Sequence, residues 1–169
     1  QLGVNIEASA ERVGACIDAI GIGFLFARSL HGAMKHVAPV RAALKTRTVF
    51  NVLGPLTNPA GADGQVMGVF DADLVLPLAK VLLGLGTRHA FVVAGADGLD
   101  EMTTTAASIV AEAHDGGVQS YEVTPEQLDL PRARPEDLRG GDAEENAAIL
   151  RAVLKGSRGP HRDIVLLNA

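Results

Sequence analysis

Two adjacent carboxylates, Asp100 and Glu101, are the side chains of this sequence best suited to chemistry. They follow a strand-like apolar run at residues 89–94 and a glycine-rich turn at residues 95–98. In open parallel sheets, ligands bind beyond the carboxyl ends of the strands. Carboxylate oxygens are the hard ligands that Mg²⁺ accepts while it keeps waters and substrate phosphates. The pair therefore fits a magnesium site, although on local grounds a solvated acidic turn or a helix N-cap is the commoner explanation.

A second group of candidates is basic. Arg41 and Lys45 are four residues apart, one helical turn, and so share a helix face. An Arg side chain can hold a carboxylate or phosphate through two parallel hydrogen bonds, and His31 adds hydrogen-bonding capacity nearby. The pattern is compatible with an anion site, while a solvated basic face is the simpler alternative.

Motifs for nucleotide loops and for covalent catalysis are absent from the sequence. The Gly-x-Gly pairs at residues 21–23 and 84–86 lack the third glycine of a dinucleotide loop, and neither a P-loop nor a Gly-x-Ser-x-Gly elbow occurs. The hydroxyls around residues 103–107 have no paired base in the sequence, so covalent catalysis has no support. Cys16 is the only cysteine, which excludes a disulfide framework and a cysteine-based zinc site.

The composition indicates a soluble α/β protein. Hydrophobic residues make up 47% of the 169 residues but aromatic ones only 4%, so the core must be built from small aliphatic side chains, as is usual in parallel sheets covered by helices. A net charge of −5 argues against a nucleic-acid surface, where basic residues would dominate. No apolar run approaches the roughly 18 residues that span a bilayer, and the start lacks a signal-peptide pattern. We therefore expect a cytoplasmic protein without a membrane or nucleic-acid partner.

The first two thirds of the chain alternate between helical and strand patterns. The predicted elements are a helix over residues 9–20 with Ser9 as N-cap, a buried strand over 24–27, a helix around 40–45, an irregular packed segment over 51–59, a strand over 65–70, a helix over 74–85 capped by Asp71 or Asp73, and a strand over 89–94. Two prolines and a glycine within nine residues are the reason for the irregular segment. Strands that alternate with helices of about a dozen residues imply a parallel sheet with right-handed crossovers.

The last third has a different pattern. Its predicted elements are an antiparallel hairpin of residues 108–114 and 118–123 joined by an Asp-Gly-Gly turn, a surface connection over 125–141, a helix from a capping box at Asp142 and Glu145 to Lys155, and a further helix beginning over 163–168. The fold class is therefore α/β, with a mostly parallel central sheet flanked by helices and a C-terminal antiparallel hairpin.

Four blocks of the sequence, in order along nearly the whole chain, resemble the anthranilate phosphoribosyltransferase family. The most specific is the run KTRTVFNVLGPLTNP at residues 45–59, preceded by Pro39-Val40-Arg41. The others are GFLFA with HGAMK (residues 23–27 and 31–35), GVF (residues 68–70), and GLDE (residues 98–101) with the hairpin segment 110–116. The resemblance implies an α/β domain of the nucleoside phosphorylase and phosphoribosyltransferase type.

The resemblance also implies a reaction and its residues. In this family the amine of anthranilate displaces pyrophosphate from phosphoribosyl pyrophosphate (PRPP), giving N-(5-phosphoribosyl)anthranilate for tryptophan biosynthesis, and the intact enzyme is a homodimer. By this likeness Arg41 pairs with the anthranilate carboxylate, and Asp100 and Glu101 hold Mg²⁺ on the pyrophosphate. The acceptor pocket and its entrance are lined by His31, Met34, Gly54 and Pro55.

The same resemblance bears on domain organisation. We expect residues 1–169 to be a partial α/β catalytic domain of a phosphoribosyltransferase, with the N-terminal helical domain and the glycine-rich diphosphate loop outside this chain. We accordingly expect the chain to lack transferase activity by itself.

Two alternative functions are weighed against this interpretation. A pyrimidine nucleoside phosphorylase shares the general architecture but should lack the block from Arg41 to residue 59. A non-catalytic relative that binds nucleic acid belongs to a different functional class, and the net charge of −5 argues against it.

Overall fold

The computed structural model describes residues 2–26, 46 and 48–169, which form two compact units, Leu2–Gly61 and Ala62–Ala169. The first unit contains helices α1 (Ala10–Ile20) and α2 (Phe50–Leu56). The second contains strands β1 (Gly64–Gly68), β2 (His89–Gly95), β3 (Ser108–His114) and β4 (Gly117–Val123), with helices α3 (Val75–Gly84), α4 (Ala143–Leu154) and α5 (Pro160–Leu167). Short 3-10 helices span Ala72–Leu74, Pro125–Leu128 and Pro135–Leu138. In this described part of the chain, no helix combines the length and apolarity needed to cross a bilayer.

The strands of the second unit form one mixed sheet in the order β1-β2-β3-β4. β1 and β2 are parallel, with Gly68 opposite Val93, whereas β2–β3 and β3–β4 are antiparallel, with Gly95 opposite Ser108. The predicted α/β class, flanking helices and hairpin are confirmed. Among the strands that the structure describes, the parallel part is limited to β1 and β2, which are joined through α3 because a parallel pair needs a long crossover.

Helix α3 covers one face of the sheet. Its buried residues Val75, Leu78, Ala79 and Leu82 pack against strands that are themselves built from alanine and valine. The strand residues with no exposed surface are Ala90, Val92, Val93, Ala111 and Ala113. Each buried Val or Leu side chain contributes about 1.5–3 kcal/mol relative to its exposed state. The aliphatic core that the composition indicated is therefore confirmed.

Several local signals correspond to the elements that they predict. Ser9 caps α1 by accepting from the Arg12 backbone N–H, and Gly21 ends that helix in the left-handed region with φ 78°. Asp115 and Gly116, with φ 49° and 76°, form the tight turn between β3 and β4. Asp142 and Glu145 form the predicted capping box of α4. Asp71 is also a cap, but of the 3-10 helix that leads into α3: its side chain accepts from the Asp73 N–H, whereas α3 itself has no side-chain cap.

The strand predicted over residues 24–27 is wrong for residues 24–26, which are not in a strand. Phe24 is 57% exposed, and its ring stacks on Phe26 with centroids 6.4 Å apart. An apolar run forms a strand only where another strand supplies hydrogen-bonding partners, and periodicity cannot reveal whether one is near. Ala27 and the helix predicted around residues 40–45 lie outside the described residues.

The irregular segment predicted over residues 51–59 is also wrong in part, because residues 51–56 are helical in α2. The Thr48 N–H donates to Asn51 Oδ1 at 2.9 Å, which fixes the first turn. Pro55 lies inside the helix, one residue before its end. The Thr57 hydroxyl then donates to the Leu53 carbonyl at 3.0 Å.

Helix α5 begins at Pro160, three residues before the predicted start at residue 163. Gly159 is its N-cap, with φ 134°, and Pro160 occupies the first helical position, where its missing N–H costs nothing. Asp163, at which the sequence predicts the helix to begin, lies within its first turn.

A polar cluster lies at the amino-terminal end of β2, on the edge of the sheet away from Asp100. His89 Nε2 is 2.7 Å from Glu112 Oε1, and the Tyr121 hydroxyl donates to Glu112 Oε2 at 2.9 Å. Burial opposes the ionisation of Glu112, but the hydrogen bonds from His89 and Tyr121 outweigh it and lower the pKa of this carboxyl. Burial, followed by the bond to Glu112, raises the pKa of Tyr121 to about 12.

The raised pKa of Tyr121 predicts a stability effect at alkaline pH. Below the ordinary pKa of 10.0 the phenol is neutral in both states, and its contribution to folding is fully present. Between pH 10 and about 12 the unfolded chain ionises first, so this contribution is lost. We expect Tyr121→Phe to make urea unfolding free energies fall less steeply than those of the wild type over this range. Parallel curves for the two proteins from pH 9 to 12 would contradict the assignment.

Candidate active site

The candidate site is the loop of residues 96–107, which joins β2 to β3. Because β1 and β2 are parallel, their carboxyl ends at Gly68 and Gly95 lie at the same edge of the sheet. The loop leaves from this edge, and its base is closed by the Ala96 N–H, which donates to the Ala107 carbonyl at 2.8 Å. Asp100 and Glu101 are therefore placed beyond the carboxyl ends of parallel strands, as the sequence predicts.

The backbone of the acidic pair rests directly on β1. A Cβ added to Gly68 would lie 1.6 Å from the Asp100 carbonyl oxygen and 2.6 Å from its carbon. The same turn is tied to β2 because the Gly95 N–H donates to the Leu99 carbonyl at 2.8 Å. A side chain at residue 68 would therefore displace the turn, and glycine is required there for a close approach of two backbone segments.

The Asp97 carboxylate connects the two limbs of the loop. Its Oδ1 accepts from the Leu99 N–H at 3.2 Å, and its Oδ2 accepts from the Thr103 hydroxyl at 2.6 Å and from the Thr105 hydroxyl. Burial by itself would raise the pKa of Asp97, but the bonds from Thr103, Thr105 and Leu99 outweigh burial and lower it. Asp97 is therefore an anion held by hydroxyl and amide donors.

Further hydrogen bonds anchor the returning limb of the loop. The buried Thr103 donates its N–H to Ser108 Oγ at 2.8 Å, at the start of β3. The amide of Asn168, just beyond α5, brackets Met102 by accepting from its N–H at 2.9 Å and donating to its carbonyl at 2.8 Å. The residue that follows the acidic pair is thus fixed from a point 66 residues later in the chain.

The side chains of Asp100 and Glu101 themselves are exposed, and neither forms a hydrogen bond or ion pair with another described residue. Two free carboxylates on a turn with fixed backbone suit Mg²⁺, which takes one or two carboxylates together with waters and substrate phosphates. Over residues 2–26 and 48–169 no group of three or more His, Cys, Asp or Glu side chains could hold a metal. The chemistry of the donor set therefore fits a cation shared with a phosphorylated substrate.

The other predicted site residues are placed differently. Arg41, His31 and Met34 lie outside the described residues, so their roles stay predictions. Gly54 and Pro55 lie near the end of α2, in the Leu2–Gly61 unit. A Cβ added to Gly54 would meet no described atom within 4 Å.

Sequence reasoning missed Asp97, Thr103 and Thr105 as a group. The hydroxyls near residues 103–107 were noted as having no paired base, and the structure gives two of them a carboxylate partner. The available signal was the Asp-Gly pair at residues 97–98, since an Asp side chain commonly bonds the backbone two residues on. Asn168 had no such signal, because its contact with Met102 depends on the tertiary fold.

Comparison with known proteins gives consistent matches over the whole chain. The family model described as "Glycosyl transferase family, a/b domain" matches residues 1–169. An anthranilate phosphoribosyltransferase of Symbiobacterium thermophilum is 55% identical over 168 residues, covering 99% of this chain and 49% of the relative. The chain thus spans about half the length of the curated relatives that it matches.

Solved structures show the same likeness. Anthranilate phosphoribosyltransferase from Thermus thermophilus matches with a TM-score of 0.89 at 51% identity, over 99% of this chain and 49% of that one. The Saccharomyces cerevisiae enzyme has been solved with 4-fluoroanthranilate (28% identity, TM-score 0.89) and with PRPP and Mg (29% identity, TM-score 0.87), again over 99% of this chain and 49% of that one. The resemblance drawn from the sequence is confirmed, and none of these matches favours either alternative function.

Proposed function

Because the chain belongs to the glycosyl transferase family defined by its a/b domain, we propose that the full-length protein is an anthranilate phosphoribosyltransferase. The observation that carries the proposal is the Asp100–Glu101 turn, which rests on Gly68 at the carboxyl ends of parallel strands. Its two carboxylates bond to no other residue that the structure describes. It is supported by relatives of that name at 51% and 55% identity.

The proposed reaction joins the nitrogen of anthranilate to the ribose carbon that carries pyrophosphate in PRPP. The N–C bond forms, the C–O bond to pyrophosphate breaks, and the amine loses a proton. Such a transition state has oxocarbenium character and a departing anion, so it needs positioning and charge neutralisation rather than a protein nucleophile. The lack of a nucleophile motif in the sequence agrees with this chemistry.

Asp100 and Glu101 are proposed to hold Mg²⁺ against the diphosphate. When bound, the cation would neutralise the charge of the leaving pyrophosphate. This chain would then have to keep the two carboxylates at a fixed place at the end of the strands. The contacts of Gly68 and Gly95 with the acidic turn hold its backbone there. The S. cerevisiae relative solved with PRPP and Mg supports this role.

The acceptor is proposed to bind near His31, Met34, Gly54 and Pro55, with its carboxylate paired to Arg41. The support comes from the matching blocks of sequence and from the S. cerevisiae relative solved with 4-fluoroanthranilate. On the same family grounds we propose that the intact protein is a cytoplasmic homodimer that acts in tryptophan biosynthesis. We further propose that residues 1–169 are part of its α/β domain.

The function is tested directly by incubating the full-length protein with anthranilate, PRPP and Mg²⁺ and following product by chromatography. We expect N-(5-phosphoribosyl)anthranilate and an equal amount of pyrophosphate. A parallel incubation with thymidine and inorganic phosphate separates the nucleoside phosphorylase alternative. Phosphorolysis of thymidine without consumption of anthranilate would overturn the proposal.

Replacement of Arg41 by Ala tests the acceptor site. Loss of a charged hydrogen-bonded pair costs about 1.5–3 kcal/mol, so we expect the Kd for anthranilate by calorimetry to rise by more than about tenfold. The KM for PRPP and the melting temperature should stay close to those of the wild type. Arg151→Ala, which removes a solvent-exposed arginine of α4, serves as the control. An unchanged KM for anthranilate in Arg41→Ala would refute the assignment.

A further inference from the structure

Asp97 forms no ion pair with any residue in the described part of the chain, yet it accepts three hydrogen bonds. The Leu99 donor lies immediately before the acidic pair, and the Thr103 donor lies two residues after it. A single carboxylate therefore ties together both ends of the short segment that contains Asp100 and Glu101. Its partners are local, and neither candidate metal ligand is among them.

The hydroxyl partners of Asp97 are themselves held in place. Thr103 is 1% exposed, and its hydroxyl also accepts from the Thr105 N–H at 3.0 Å. Its own N–H donates to Ser108 Oγ at 2.8 Å, so the network reaches the first residue of β3. A Cβ at Gly95 would lie 2.5 Å from Asp97 Oδ1, so the last residue of β2 lies directly against the same carboxylate. The Asp97 carboxylate thus contacts both the end of β2 and the returning limb of the loop, although the residue as a whole is exposed.

We propose that Asp97 is the positioning residue that holds Asp100 and Glu101 in place for the metal, without itself being a ligand. The inference rests on the proposed function, because it concerns the residues assigned there to Mg²⁺. Asp97 holds the segment at its two ends, Leu99 and Thr103. Within the segment, Gly68 contacts Asp100 and Asn168 bonds Met102. Without Asp97, the two limbs of the loop lose their common acceptor.

The first test measures metal binding directly in the full-length protein. Mn²⁺ serves as the probe, and its binding in the presence of PRPP is followed by electron paramagnetic resonance. Loss of groups that orient metal ligands typically weakens binding by about 10- to 100-fold. Since Asp97 acts through the backbone, we expect Asp97→Ala to raise the Kd for Mn²⁺ by about tenfold, at the lower end of that range. The KM for anthranilate should not change.

A matched control separates positioning from general stability. Asp142 is another exposed aspartate that accepts backbone N–H groups, those of Glu144 and Glu145, at the start of α4. Asp142→Ala should lower the melting temperature, because the helix loses its N-cap, and leave the Kd for Mn²⁺ unchanged. If Asp97→Ala lowers the melting temperature as Asp142→Ala does but binds Mn²⁺ like the wild type, Asp97 is only structural and the inference is overturned.

Thr105 supplies a milder pair of variants in case Asp97→Ala does not fold. Thr105→Val keeps the shape of the side chain but removes the hydroxyl, whereas Thr105→Ser keeps the hydroxyl. We expect weaker Mn²⁺ binding in Thr105→Val and wild-type binding in Thr105→Ser, and equal binding in both would overturn the inference. Absence of metal-dependent transfer by the wild-type protein would instead overturn the proposed function, and this inference with it.

Discussion

Replacement of Asp100 by Asn together with Glu101 by Gln is expected to lower kcat/KM for PRPP by about 100-fold or more in the full-length protein. This is the scale on which removal of a fixed electrostatic group lowers catalysis. Both substitutions keep the shape of the side chain and remove the charge that holds the cation. Both side chains are exposed and form no bond to another described residue, so stability should stay within about 0.5 kcal/mol of the wild type. Initial rates over a series of Mg²⁺ concentrations, with urea unfolding curves, measure the two effects.

A control with the same loss of charge shows whether the effect is specific to the loop. Asp115 lies in the β3–β4 turn, at the opposite edge of the sheet, and Glu136 lies in an exposed 3-10 helix. Asp115→Asn with Glu136→Gln removes two negative charges and should leave the Mg²⁺ dependence unchanged. If the Asp100 and Glu101 variant also keeps the magnesium dependence of the wild type, the metal assignment is wrong.

The parts of the fold that the sequence predicted are those determined by neighbours in the chain. The Asp142–Glu145 capping box, the Asp115–Gly116 turn and the Ser9 cap each involve residues at most three apart. Their conformations follow from local hydrogen bonds and backbone sterics, which the residue types alone specify. The α/β class was predicted from local patterns as well, because strand and helix patterns alternate along the chain.

The errors arose where a tertiary partner decides the conformation. Residues 24–26 have the composition of a strand and are not in one, and α2 contains the Gly54-Pro55 pair that suggested an irregular segment. Propensity is a weak guide in short apolar runs because packing overrides it. Neither outcome was available from the residues themselves.

The candidate site shows the same division. Asp100 and Glu101 could be predicted because they are adjacent carboxylates directly after a strand and its turn. The proposed roles of Arg41, His31 and Met34 came from the family resemblance. The structure adds why the acidic turn is fixed. Gly68 meets Asp100 across 32 residues, and Asn168 meets Met102 across 66. Contacts at such separations are consequences of the fold and leave no local pattern.

Replacement of Gly68 by alanine is expected to lower both stability and activity, because the added methyl group would collide with the backbone of Asp100. A Cβ at this position would lie 1.6 Å from the Asp100 carbonyl oxygen, so either the end of β1 or the acidic turn must move. We expect Gly68→Ala to lower the unfolding free energy by about 1–3 kcal/mol, as overpacking of a close contact does. Displacement of the turn should also reduce Mg²⁺-dependent transfer by about tenfold or more, as loss of ligand orientation does.

Gly64, at the other end of β1, is a matched control for Gly68→Ala. Among the atoms that the structure describes, its added Cβ would meet the His89 carbonyl oxygen alone, at an ordinary 3.8 Å. Replacement of a glycine by alanine where the backbone permits it is neutral or stabilises by about 0.4–1 kcal/mol through the unfolded state. Gly64→Ala should therefore unfold at a urea concentration equal to or above that of the wild type and keep its activity. Equal stability and equal Mg²⁺ dependence in the two variants would mean that β1 does not support the turn. The acidic turn would then be held in place by the Asp97 and Asn168 contacts and by the Gly95–Leu99 hydrogen bond.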